Sequence, residues 1–123
     1  IGFEGLGNQV RDVIHVKDVC DLILEQIKNF KKINNQIFNV GGGLNNAISL
    51  KELTKKAKEI TGYNIDIGKI KKTSNYDIPY FVTDNKKIYS FYKWRVKRNL
   101  DNIIKDTFEV LIKYKKLFKK HEL

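Results

Sequence analysis

The sequence predicts an α/β fold in which short strands alternate with amphipathic helices around one core. Three observations carry that expectation. Residues 10–16 alternate loosely between apolar and polar side chains, as a strand with one buried face does. A helical pattern follows at once, with Val19, Leu22, Ile23, Ile27 and Phe30 recurring at three- and four-residue intervals. The strand-then-helix order then repeats, since residues 36–40 read as a strand and the stretch after Ser49 as a second helix. No internal repeat or low-complexity linker divides the 123 residues, so one domain is expected.

Taken in order, Gly2, Gly5 and Gly7 break up the opening and place a turn between Phe3 and Gln9. After the first strand, Asp18 is expected to cap a helix, with Asp21 adding negative charge to its first turn. That helix runs to about Phe30, its carboxyl end marked by Lys28, Lys31 and Lys32. The strand over 36–40 stops at Gly41-Gly42-Gly43, where the backbone must turn sharply or approach something closely. Ser49-Leu50-Lys51-Glu52 is a capping box, in which hydroxyl and carboxylate each satisfy a backbone N–H that the helix start leaves free. The helix it opens turns Leu50, Leu53, Ala57 and Ile60 inward and ends at Gly62. Residues 64–67 alternate as an edge strand. A polar loop leads to the only proline, Pro79, and an extended piece over 80–82. Asp84 is expected to cap a helix to about Tyr92, and Trp94 to follow in a turn. Asn99 or Asp101 opens the last helix, whose apolar face is Ile103, Ile104, Phe108, Leu111, Ile112 and Leu117.

Composition narrows the function. Apolar content of 41% and aromatic content of 11% are globular values. No apolar run approaches the ~20 residues of a bilayer crossing, and no charged-then-apolar leader with a small-residue cleavage site is visible. The single cysteine, Cys20, leaves no internal disulfide, and a reducing, cytoplasmic setting is expected. The net charge of +10 comes almost wholly from lysine. Arginine, the better reader of phosphates and bases, is scarce, so a lysine-rich surface is favoured over a nucleic-acid interface. The opening Ile1-Gly2-Phe3 reads as the tail of a strand already under way, and a piece of a larger protein is expected.

Few residues carry chemistry. The glycines of Gly2-Phe3-Glu4-Gly5-Leu6-Gly7 lead into an extended segment, whereas a dinucleotide loop needs a helix there to hold the pyrophosphate. Tyr89 and Lys93 have the Tyr-x-x-x-Lys spacing of a proton-transfer pair, but two fixed positions are a weak signal and a packing role for Tyr89 is favoured. Arg11 stands beside a flexible glycine turn with Asn8 and Gln9, and its planar fork suits a pair of phosphate oxygens. A surface ion pair with Asp12 or Glu4 is the competing reading. His15 shares a face with Val13 and has no Cys or second His at ligand spacing, so a hydrogen-bonded structural role is favoured and no metal is expected. Cys20 reads as a small buried side chain. The aromatics within the basic run from Lys86 to Lys120 are what a helical core needs, which weighs against a nucleic-acid patch.

Several of these segments together resemble the carboxyl-terminal part of extended short-chain dehydrogenase/reductases, the nucleotide-sugar epimerases and dehydratases. They are Arg11-Asp12-Val13-Ile14-His15-Val16-Lys17-Asp18, Phe38-Asn39-Val40-Gly41-Gly42, Ser49-Leu50-Lys51-Glu52-Leu53, Asp77-Ile78-Pro79, and Thr83-Asp84 with Lys87 and Trp94. Gly5-Leu6-Gly7-Asn8-Gln9-Val10-Arg11-Asp12, with the three glycines after Asn39-Val40, is most similar to the CDP-paratose (CDP-tyvelose) 2-epimerases within that group; the 4-epimerases and 4,6-dehydratases are the alternative. The resemblance implies the distal portion of a Rossmann-like fold, carrying the small substrate-binding subdomain. It implies that Arg11 grips the substrate diphosphate, that Gln9 lies at the nucleotide, and that Asp77 hydrogen-bonds the ribose. Where relatives carry a second phosphate-binding arginine this chain has Ser74, with Lys71 and Lys72 nearby as point charges, and the family's proline is Val96. It further implies NAD, bound mainly by an amino-terminal part that also holds the catalytic Tyr-x-x-x-Lys. The implied reaction is transient oxidation and re-reduction at a sugar carbon, the partner a nucleoside-diphosphate sugar, with CDP favoured, and the assembly a homodimer formed upstream. No catalytic residue is assigned to this chain, which is expected to be inactive alone. Two other readings compete: a small basic module for nucleic acid or an acidic partner, and a regulatory descendant that binds nucleotide sugars without catalysis.

Overall fold

A computed structural model describes residues 5–31, 35–64, 67–69, 72–74 and 76–115. The elements run β1 (Val10–Asp12), α1 (Val16–Lys28), β2 (Ala47–Ser49), α2 (Leu50–Thr61), β3 (Tyr80–Phe81), α3 (Lys86–Phe91) and α4 (Leu100–Lys113). They form the expected α/β unit around a small mixed sheet of order β2-β1-β3, with β1 antiparallel to β2 and parallel to β3.

β1 is shorter than its alternating pattern, because the chain must turn to enter α1. His15, not Asp18, is the N-cap of that helix: its backbone is extended and its Nδ1 accepts the Lys17 N–H at 3.0 Å. Asp18 already lies inside the first turn and points into the protein. There it is fully buried and accepts the backbone N–H groups of Lys97 and Arg98 and the Arg98 guanidinium, which also reaches Asp21. The carboxylate therefore ties the segment before α4 to the start of α1. α2 carries the expected capping box between Ser49 and Glu52 and ends on Gly62 in the left-handed region, at φ 73°. α3 starts one residue later than expected. Asn85 occupies the cap position but spends its amide on both backbone groups of Gly41, and Asp84 accepts the Lys86 N–H instead. Asn99 and Asn102 form the box that opens α4.

The core gathers Leu22 of α1, Ile88 of α3, Tyr92 and Trp94, with Ile14, Phe38, Val40, Tyr89 and Val96 packed against them. The Trp94 indole donates to the Asp18 carbonyl, and Phe38 sits edge-on to Phe91 and Tyr92. The expected stripe on α1 is mostly not buried: Leu22 is, but Ile23, Ile27 (66% exposed) and Phe30 (75%) are not. α1 meets the core through Asp18 and Leu22, and Val16, Ile23, Leu24 and Ile27 stay at the surface. Cys20 is exposed too, not the buried side chain its setting suggested. Residues 36–40 form no strand, because a strand needs a neighbour to complete its ladder and none pairs with them among the described residues. Asn64 and Ile67 also lie outside any strand, and residues 65–66 and Leu117 fall outside the described residues. Leu111 and Ile112, expected inward, are about half exposed near the end of α4.

Candidate functional site

β1 sorts its side chains by the two-residue period of a strand. Asp12 points to one side, where its carboxylate accepts the Gly43 N–H at 2.8 Å and the Thr83 hydroxyl at 3.3 Å. This draws the glycine turn so close that a Cβ on Gly41 would fall on Thr83 and Asp12, and one on Gly42 on the Val13 carbonyl. Those two glycines are required by close approach.

Gln9, Arg11 and Val13 face the other side and line a cavity of about 290 Å³ together with Ile48 of β2, Leu50 and Leu53 of α2, and Asp77. The Arg11 guanidinium is held twice, by the Val10 carbonyl at 2.7 Å and by Asp77 Oδ1 at 3.1 Å. With side chains 41% and 31% exposed, the Arg11–Asp77 pair stands at the mouth of the cavity. It adds little to stability, on the order of 0–1 kcal/mol. Arginine carries five N–H donors, so these two bonds leave three for an anion. Asp77 is delivered by a tight turn in which its N–H donates to the Ser74 carbonyl, while the Tyr76 N–H donates to the Ser74 hydroxyl. Ser74 thus shapes the loop where the resemblance implied a second arginine. Gln9 is fixed through its backbone, since its carbonyl accepts the Leu50 N–H at 3.1 Å. Its side-chain Oε1 is buried with no hydrogen-bond partner.

All three expected site residues, Gln9, Arg11 and Asp77, therefore meet in one cavity. The apolar walls were not anticipated as site residues. The strand period was a signal for Val13, and Leu50 and Leu53 were read simply as the inward face of α2. Of the two competing partners for Arg11, Asp12 turns away while Arg11 pairs with Asp77, and Glu4 lies outside the described residues.

The remaining candidates are structural. His15 is 5% exposed, capping α1 through Nδ1 and meeting Asp106 through Nε2 at 3.1 Å. Tyr89 packs against Trp94 beneath the Arg95 guanidinium, and its hydroxyl accepts from Asn85. Lys93 lies beyond the end of α3, so the two do not share a helical face. Tyr92 and Trp94 are spent on the core, which removes them as stacking platforms. A larger open hollow of about 650 Å³ lies on the glycine-turn side, but Asn85 and Arg98 on its wall are engaged with Gly41, Asp18 and Asp21. Among the described residues no group of His, Cys, Asp and Glu could hold a metal ion, and no helix is long and apolar enough to cross a membrane.

This fold recurs in known proteins. No family model matches the chain. It is 34% identical over 93 residues to the CDP-paratose 2-epimerase of Salmonella typhi, covering 76% of this chain and 27% of that protein. Among solved structures, it resembles the Thermotoga maritima UDP-glucose 4-epimerase with UDP-glucose, at 29% identity and a TM-score of 0.71, over 92% of this chain and 35% of that one. The UDP-glucose 4-epimerase of Stenotrophomonas maltophila, with bound NAD and formylated UDP-arabinopyranose, shares the fold at a TM-score of 0.78, with 22% identity over 89% of this chain and 32% of that one. The chain spans about a quarter to a third of the length of these proteins. Over most of its own length it is similar to one part of these nucleotide-sugar epimerases, and it shares the fold of that part.

Proposed function

We propose that this chain is the substrate-gripping part of a nucleotide-sugar epimerase, with Arg11, Asp77 and Gln9 forming the nucleotide end of its site. The observation that carries this reading is their convergence on one cavity with apolar walls. Arg11 takes oxygens of the diphosphate, Asp77 accepts from ribose hydroxyls, and Val13, Ile48, Leu50 and Leu53 cover the flat face of a ring. A CDP-sugar is the favoured substrate and 2-epimerisation the favoured reaction, supported by the match to a CDP-paratose 2-epimerase.

Among the described residues no glycine-rich turn opens a helix that could hold the pyrophosphate of NAD. Gly5 and Gly7 lead into β1, not into a helix whose amino end could hold a pyrophosphate. Nor do Tyr89 and Lys93 form a proton-transfer pair. Cofactor binding and catalysis are therefore assigned to another part of a cytoplasmic protein, while this piece supplies grip and enclosure and is inactive alone. Calorimetric titration of the protein, at its natural length, with CDP- and UDP-sugars tests the assignment. Saturable binding that competes with the free nucleoside diphosphate is expected, and silence from both sugars overturns the reading.

A further inference from the structure

We propose that the outward face of α1 is a seam on which the rest of this protein's own natural-length polypeptide packs. The proposal shares one premise with the functional reading, that this chain is part of a longer protein. α1 is turned the opposite way from a helix at a water-facing surface, which buries its apolar stripe and shows its polar side. Val16, Cys20, Ile23, Ile27 and Phe30 recur at alternating intervals of four and three residues, with Leu24 beside them, and all six are exposed. On the opposite side Asp18 is fully buried, and Glu25 and Asn29 are half-buried. The spacing is that of one face meeting another packed element. From Val16 to Ile27 it runs about 16 Å along the helix. A continuous apolar strip marks an interface, as scattered exposed side chains do not.

A second observation points the same way. Residues 36–40 sort their side chains as a strand does: Phe38 and Val40 pack on the core that holds Leu22 of α1, while Ile37 and Asn39 are exposed. No strand pairs with them among the described residues, and an unpaired extended backbone is a template for another strand. The helix face and the extended segment meet at one core, so a single further layer of structure completes both. The occupant follows from size and charge. This chain spans about a quarter to a third of the proteins it resembles, so a polypeptide of their length has ample structure to lay on the seam. A tethered layer also meets it at a high effective concentration. A second copy of α1 suits it poorly, because two copies of one face must be self-complementary. Lys17, Lys28 and Lys31 lie along one edge, and the carboxylates of α1 are already engaged, Asp18 and Asp21 by Arg98 and Glu25 by Asn29. The helix starts at the His15 cap, four positions after Arg11, so whatever packs on the seam is set close to the anion site.

Cys20, in the middle of the stripe, is a built-in reporter. The natural-length protein is treated with a maleimide, and modification of the Cys20 peptide is followed by mass spectrometry. Labelling is expected to be at least about a hundredfold slower in the folded protein than in the same protein unfolded in denaturant. The protection should not change with protein concentration. Ile27→Asp sets a carboxylate in the seam and should speed labelling of Cys20 at least about tenfold in the folded protein. Labelling of the unaltered protein as fast as in denaturant overturns the proposal. Protection that vanishes on dilution also overturns it and makes a second copy the occupant, and protection that survives in a folded Ile27→Asp protein moves the seam off this face. Should Ile27→Asp fail to fold, the rate in the unaltered protein and its independence of concentration decide. An open Cys20 in a protein that binds nucleotide sugar removes the seam and leaves the site standing. A protected Cys20 in a protein that binds neither sugar keeps the seam and overturns the substrate reading alone.

Discussion

Arg11→Ala is the sharpest perturbation of the site, because its two effects separate by size. The guanidinium is held by the Val10 carbonyl and by Asp77, both near the cavity mouth. With the two side chains 41% and 31% exposed, water screens the ion pair and rehydrates Asp77 once Arg11 is gone. The loss of folding stability should therefore stay within about 1 kcal/mol. Binding is a different matter. A charge-assisted hydrogen bond to phosphate is worth roughly 1.5–3 kcal/mol, which weakens Kd by about 10- to 150-fold. Arg11→Lys keeps the charge but not the fork, and should recover only part of the loss. Calorimetric titration with a nucleoside diphosphate gives the affinity, and a denaturant midpoint on the same samples gives the stability. An unchanged Kd in a folded Arg11→Ala protein would refute the assignment of Arg11 to the anion.

Asp77→Asn should act in opposite directions on two ligands. Freed of a facing carboxylate, Arg11 should bind inorganic pyrophosphate more tightly, while nucleoside diphosphate, deprived of its ribose acceptor, gains less or weakens; equal changes for both, by titration, would remove Asp77 from the ribose. Asp18→Ala should be among the most destabilising single changes, costing about 3–5 kcal/mol. It strips a fully buried carboxylate from the Arg98 side chain and from two backbone N–H groups, and a denaturant midpoint near that of the unaltered protein would contradict this. The Ser49 hydroxyl and then the Ser49 backbone N–H hold the Glu52 carboxyl below its ordinary value of 4.5. A depressed folded value means that the stabilisation is present above the unfolded pKa and is lost as pH falls through the folded one. Melting temperatures below about pH 4.5 should accordingly fall less steeply for Glu52→Gln than for the unaltered protein.

Short-range signals in the sequence hold where one side chain and one backbone group decide the outcome. The Ser49 box, the Gly62 stop and the Asn99 start are of that kind, and each lies where its chemistry put it. Such signals give way where a local preference meets a distant partner. Asp18 has the chemistry of a cap, but Arg98 and its backbone, about 80 positions away, claim the carboxylate, and His15 caps in its stead. The site divides in the same way. The strand period put Gln9, Arg11 and Val13 on one side, while nothing in the local pattern joins Asp77 to Arg11 across 66 positions. That link came only from the resemblance. Periodicity, finally, reports which face of an element is apolar and leaves open what will cover it. Residues 36–40 have the composition of a strand and no paired neighbour among the described residues. Val16, Ile23 and Ile27 keep helical spacing on α1 and remain exposed. A strand pattern and a helix stripe both become structure only when a second surface completes them, and β1 shows the completed case. Flanked by β2 and β3 and crossed by the glycine turn, it is, among the described residues, the one strand with a neighbour on each side, and it is the strand that leads Arg11 to the cavity.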